Sequence, residues 1–132
     1  MLRLGRERSQ LRVVSDQIGI PTYARDLAKG IQAVLLHKST DSPWGVYNLA
    51  NAGATSWHEF ATEIFEHSEM DVSLEDITTD QFPTAAQRPP YSVLNSSKFC
   101  KMFDFETRSW REALVECLTR MEAQGTSTTN FQ

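Results

Sequence analysis

The residues best placed to do chemistry lie in one short stretch, Ser15-Asp16-Gln17-Ile18-Gly19-Ile20-Pro21-Thr22. The β-branched pair Val13-Val14 predicts a strand over 11–14, and Ser15-Asp16-Gln17 breaks it with side chains that can bond their own backbone. Gly19 permits a turn barred to other residues, Pro21 fixes φ, and Thr22 is a good N-cap for a following helix. Strand, rigid turn and helix in that order place Asp16, Gln17, Pro21 and Thr22 beyond the carboxyl end of a strand. In α/β proteins that is where ligands bind.

Complete catalytic, cofactor or metal motifs are missing from the sequence. Gly5, Gly19, Gly30, Gly45, Gly53 and Gly125 are isolated, so there is no Gly-x-Gly-x-x-Gly dinucleotide loop. Tyr23, Tyr47 and Tyr91 are followed four residues later by Leu27, Asn51 and Asn95, never by Lys. No P-loop, zinc-ligand spacing or nucleophile elbow occurs. His58 and Glu59 are neighbours, which on a helix points them about 100° apart, and no His follows at i+4, so no metal site is expected. Glu75-Asp76 reads as a solvated face, and Cys117 falls in an apolar stripe, as a core residue rather than a nucleophile.

The elements that must position the turn follow from hydrophobic spacing. Residues 1–9 read as the last turns of a helix whose start is missing, which suggests the back portion of something longer. Ala24, Leu27, Ile31, Val34 and Leu35 form one apolar stripe on the next helix, with Arg25, Lys29, Gln32 and Lys38 opposite. His37 and Lys38 close that helix, 39–43 is a loop, and 46–49 is a second strand. Ser56 and Glu59 form a capping box ahead of a helix burying Trp57, Phe60, Ala61, Ile64 and Phe65. Val72, Leu74 and Ile77 suggest a third strand, and 78–90 is a loop containing Pro83, Pro89 and Pro90. Asn95 caps a short helix over 96–102, and Trp110, Ala113, Leu114, Cys117, Leu118 and Met121 line a last helix over 107–123.

The totals exclude several classes. With 40% apolar residues, seven Phe and three Trp among 132 residues, the chain can build a core. A net charge of −4 and scattered basic residues argue against a nucleic-acid surface. No apolar run approaches the ~20 residues of a membrane span, and no signal peptide is evident, so the default compartment is cytoplasmic with Cys100 and Cys117 reduced.

Several stretches taken together resemble the dTDP-4-dehydrorhamnose reductases. The family's Val-x-Asp-Gln-x-Gly-x-Pro-Thr turn is matched by Val14, Asp16, Gln17, Gly19, Pro21 and Thr22. Its Gly-x-Tyr-x-Leu strand and Thr-Trp-His helix start are matched by Gly45, Tyr47, Leu49 and by Ser56-Trp57-His58. Its Arg-Pro-x-x-Ser-x-Leu-x-x-x-Lys-Phe segment is matched by Arg88, Pro89, Ser92, Leu94, Lys98 and Phe99, though Pro90 and Tyr91 depart from the usual residues.

The resemblance implies an α/β fold: the carboxyl-terminal part of an NAD(P)-binding, Rossmann-like extended short-chain dehydrogenase. Residues 1–43 would close the Rossmann-like domain, 44–123 would form most of the substrate-binding domain, and 124–132 would be a disordered tail. In such enzymes NADPH or NADH reduces the 4-keto group of a dTDP-linked 6-deoxyhexose. The Gly-rich loop and the Tyr-x-x-x-Lys pair would then lie upstream of Met1, leaving this chain no catalytic, cofactor or metal residues and no cofactor of its own. Arg88 would meet the substrate diphosphate, since a guanidinium offers forked donors to phosphate oxygens. Asp16, Gln17, Pro21 and Thr22 would sit at the cleft mouth, and Lys98 would be structural. The expected partners are a dTDP-sugar, the missing Rossmann portion and a possible second copy of the chain. Most partner strands of 11–14 would lie in that missing portion. Two alternatives remain open: a non-catalytic binding subunit, like the regulatory subunit of methionine adenosyltransferase with its Gln-Arg-Pro segment, or an inactive truncated product.

Overall fold

Val13 and Val14 do enter a strand, and its partner lies within the chain. In this computed structural model, residues 1–37 and 44–127 are described. Strand β1 (Gln10–Val14) pairs in parallel with β4 (Ser73–Ile77), with Leu11 opposite Leu74 and Val14 opposite Ile77. That partner covers one edge of β1 and leaves the other open, and the two-stranded sheet joins residues on both sides of position 43. A parallel pair needs a covering layer, and helices α3 (Trp57–His67) and α5 (Trp110–Ser127) supply it. Leu11 is buried with Ala61, Ile64, Phe65, Trp110, Leu114 and Leu118, and Leu2 and Leu4 of α1 (Leu2–Glu7) pack on the edge of this core. Each large side chain removed from water there contributes about 1.5–3 kcal/mol.

Local signals set most helix starts. Ser56 Oγ accepts the Glu59 N–H at 3.0 Å and so caps α3. The Glu59 carboxylate does not close the box, however. It accepts the Thr55 hydroxyl at 2.7 Å and pairs with Arg111 of α5. Helix α4 (Ser97–Phe103) follows Asn95, whose Oδ1 accepts the Ser97 N–H at 2.9 Å. Helix α5 runs to Ser127, into the 124–132 segment expected to be a tail, and residues 128–132 lie outside the described residues. So do Lys38 and the loop expected over 39–43.

Helix α2 (Ala24–Leu36) carries its apolar stripe uncovered. Its buried positions are Asp26 and Gly30, whereas Ile31 is 61% and Leu35 79% exposed, with Leu27, Val34 and Leu36 outward as well. Close packing explains Gly30: a Cβ there would lie 2.2 Å from Leu49 Cδ2. The second strand expected over 46–49 is not formed. No strand among the described residues pairs with it, and Val46 is 84% exposed. Its flanking backbone is held by side chains instead. Lys98 Nζ donates to the Val46 carbonyl at 2.9 Å, and Ser96 Oγ accepts the Ala50 N–H at 3.0 Å.

A polar network replaces apolar packing under α2. Thr22 is not the N-cap; Tyr23 occupies that position, and Asn51 Oδ1 accepts its N–H at 2.8 Å. Asn51 Nδ2 donates to Asp26 Oδ2 at 2.8 Å, and Arg108 Nε reaches the same oxygen at 2.7 Å. Arg108 Nη1 and Arg25 Nη1 each pair with Glu116 of α5 at 2.8 Å. Burial pushes the Asp26 carboxyl upward, but the hydrogen bonds from Arg108 and Asn51 and the Arg108 charge outweigh it, so its pKa falls below the ordinary 3.8. A depressed carboxylate adds stability above its unfolded pKa and loses it as pH falls through the folded one.

Two outcomes follow. Asp26→Asn should cost roughly 1.5–3 kcal/mol at neutral pH. In urea unfolding, its gap from the unmodified chain should narrow progressively below pH 3.8; a gap independent of pH would dismiss the ionic role. On the outward face of α2, Leu35→Asp should shift unfolding free energy by no more than about 0.5 kcal/mol while reducing self-association in light scattering. A loss comparable to that of Phe65→Ala, about 3–5 kcal/mol, would mean that Leu35 is packed.

Candidate functional site

Beyond β1 the chain is sewn to three distant segments. The Ser15 N–H donates to the Ile77 carbonyl at 2.9 Å, extending the β1–β4 pairing by one bond. Both carboxylate oxygens of Asp16 are then taken by Thr79, through its N–H at 3.0 Å and its hydroxyl at 2.7 Å. Those bonds from the Thr79 N–H and hydroxyl lower the Asp16 pKa below its usual value. Gln17 Nε2 donates to the same Thr79 oxygen at 3.0 Å. The Ile18 N–H donates to the Pro90 carbonyl, and the Ile18 carbonyl accepts the Ser92 N–H, each at 2.8 Å. Finally β2 (Ile18–Gly19) pairs antiparallel with β3 (Thr55–Ser56), setting Gly19 against Thr55 at the start of α3.

These contacts enclose a cavity of about 330 Å³. Gln17, Gly19 and Pro21 form one wall, Thr55, Ser56, Trp57 and Phe60 another, and Arg88, Pro89 and Ser92 close the third side. Gly19 has no left-handed backbone angle, so its expected turn role is replaced by a steric one: a Cβ there would lie 3.1 Å from Ser92 Oγ. Trp57 was expected in the core of α3 but is 53% exposed, because as the first residue of the helix it faces the cavity rather than the β1–β4 sheet. Among the described residues Arg88 has no ion-pair or hydrogen-bond partner, leaving its full set of donors for a ligand.

Of the five residues singled out in the sequence, Gln17, Pro21 and Arg88 converge on this cavity although Arg88 is far away in the chain. Asp16 and Thr22 do not. Asp16 turns to Thr79, and Thr22 lines a separate cavity of about 150 Å³ beside Asp26, Asn51 and Arg108. Lys98 holds the Val46 carbonyl and lies 4.4 Å from the Tyr47 ring centroid. Sequence reasoning missed Trp57 and Phe60 as cavity residues, since helical spacing cannot separate a core-facing aromatic from one at a helix start that meets a sheet edge.

The cavity can offer a cation, an amide, hydroxyls and an apolar aromatic wall. That suits a ligand with an anionic group beside a ring. Among the described residues there is no cluster of His, Cys, Asp or Glu that could hold a metal, and no helix is long and apolar enough to cross a membrane.

Comparison with known proteins agrees with the motif reading. The chain is 42% identical over 118 residues to the spore coat polysaccharide biosynthesis protein SpsK of Bacillus subtilis, covering 89% of this chain and 40% of that one. A dTDP-4-dehydrorhamnose reductase from Clostridium acetobutylicum superimposes with a TM-score of 0.82 at 34% identity, over 92% of this chain and 42% of that one. The enzyme of the same description from Bacillus anthracis, solved in complex with NADP, gives 0.79 at 36% identity, over 90% of this chain and 40% of that one. The chain thus spans about two fifths of the length of these relatives and corresponds to their carboxyl-terminal part. The family model described as the RmlD substrate binding domain matches residues 1–123, and the chain belongs to that family.

Proposed function

We propose that this chain is the nucleotide-sugar-binding portion of a dTDP-4-dehydrorhamnose reductase-like protein. The observation that carries the reading is the convergence of Arg88, Gln17, Pro21 and Trp57 on one cavity. Among the described residues Arg88 is its one cationic wall residue, and it would bind the diphosphate of a dTDP-sugar through charge-assisted hydrogen bonds. Gln17, Ser56 and Ser92 would meet sugar hydroxyls, and Trp57 with Phe60 would supply the apolar surface.

In the complete protein the remaining portion would hold NADPH or NADH and a proton-donating Tyr. The nicotinamide would supply a hydride to C4 of dTDP-4-dehydro-L-rhamnose and the Tyr a proton to the carbonyl oxygen, giving dTDP-L-rhamnose. This chain would orient the sugar for that transfer. The outward apolar face of α2, with Trp44 and Val46 exposed alongside, would lie against that cofactor-binding portion.

Two measurements test this reading. The 132-residue chain should neither retain NADPH in equilibrium dialysis nor consume it with a dTDP-4-dehydro sugar; turnover above a protein-free control would overturn the division of labour. It should bind dTDP, and Arg88→Ala should weaken that binding about ten- to a hundredfold, as expected for losing roughly 1.5–3 kcal/mol of charged hydrogen bonding. Absence of dTDP binding, or an unchanged affinity in a folded variant, would remove Arg88 from the site.

A further inference from the structure

The loop that carries Arg88 begins and ends on the same three residues. It starts at Thr79, two residues beyond β4 and bonded to Asp16 and Gln17, and returns at Pro90 and Ser92, which are bonded to Ile18. Between those points every residue from 81 to 90 is exposed, so no buried side chain fixes the loop from beneath. The Thr79 hydroxyl occupies the central position at the leaving end. It donates to Asp16 Oδ1 at 2.7 Å and accepts from Gln17 Nε2 at 3.0 Å, using its one proton and one of its lone pairs. Gln17 is buried and also lines the cavity, so the same side chain touches both the staple and the site.

We infer that Thr79, held by Asp16 and Gln17, is a positioning residue that sets the loop bearing Arg88 over the cavity and thereby raises affinity for the diphosphate of a nucleotide sugar. Asp16 then acts through Arg88 rather than by touching the ligand. Its carboxylate is directed at Thr79, and it is not among the cavity walls. The inference rests on the reading of the cavity as a nucleotide-sugar site, and the geometry of the staple is independent of it.

The variants that separate the two are Thr79→Val, which keeps the shape and removes the hydroxyl, and Thr79→Ser, which keeps the hydroxyl. Without any ligand, ¹⁵N relaxation of the intact chain should show lower order at amides 84–88 in Thr79→Val, unchanged order at amides 61–65, and recovery in Thr79→Ser. With dTDP as probe, Thr79→Val and Asp16→Asn should each raise Kd about three- to tenfold, and Thr79→Ser should restore it. In an Arg88→Ala background, Thr79→Val should add less than about twofold, because the two residues act through one contact. If Arg88→Ala weakens dTDP binding and Thr79→Val does not, the positioning role is overturned while the site reading stands. If amides 84–88 keep their order in Thr79→Val, the staple itself is overturned. Absent dTDP binding with a loosened loop would refute the affinity role together with the site reading and leave only the mechanical staple.

Discussion

The backbone of Ile18 is the point on which the arrangement depends. A buried or half-buried peptide must find partners for both its N–H and its C=O. Ile18 finds them on the 90–92 segment, while its strand partner on the other side is Ser56 at the start of α3. One residue therefore fixes the distance between the loop bearing Arg88 and the helix bearing Trp57 and Phe60. The cavity is the space left between them. Shifting the register of β2 against β3 by one residue would turn these side chains to the opposite face, and the wall of the cavity would be lost.

The same constraint explains why polar residues lie beneath α2. The helix starts at Ala24, three residues after Pro21, so its first N–H groups point back toward the segment that forms the cavity wall. Asn51 satisfies the Tyr23 N–H and donates from its own amide to Asp26 and to the Arg108 carbonyl, and Asp26 in turn holds Arg108. A buried carboxylate is tolerable only with such partners. Satisfying it ties α2, the 50–52 segment and the start of α5 into one unit, and that unit sits behind Pro21 and Ala50 of the cavity. The apolar side of α2 is left facing outward because the inward side is already committed to hydrogen bonds and to the close approach of Gly30 on Leu49.

Much of this was legible in the sequence, and the reasons for the rest are specific. The β1 strand and the turn after it were visible because β-branched residues give way to Asp, Gln, Gly and Pro within a few positions. Helix α3 was visible because Ser56 and Glu59 stand at capping distance before a strong apolar repeat. The repeat on α2 was visible too, but periodicity reports that a helix has an apolar face and not which neighbour, if any, covers it. The 46–49 segment has strand composition; a strand needs a partner, and none of the described residues supplies one. Asp16 and Thr79 are joined across 63 positions in the sequence and Gln17 and Thr79 across 62, and no local pattern encodes either contact. The candidate residues were thus found by chemistry and motif, while their division into cavity wall and loop anchor needed the fold.

Placing Arg88, the one unpartnered cavity cation among the described residues, on a stapled loop has an energetic logic. An Arg held in the core would need a permanent counter-ion to offset its desolvation, and that partner would compete with an anionic ligand. On an exposed loop Arg88 stays hydrated, and no Asp or Glu claims it among the described residues. The difficulty is that a loop without buried side chains opens easily, and a wandering guanidinium must be ordered again each time it binds. Bonding both ends of the loop to adjacent residues reduces that cost without lowering the hydration of the charge. The closure entropy depends only weakly on the length between the ends, about 0.6 kcal/mol for each doubling. Where the ends are fixed therefore matters more than how long the loop is. Asp16, Gln17 and Ile18 fix both of them beside the cavity, so a turn read from the sequence as a ligand contact serves here in part as the anchor of the loop that bears Arg88.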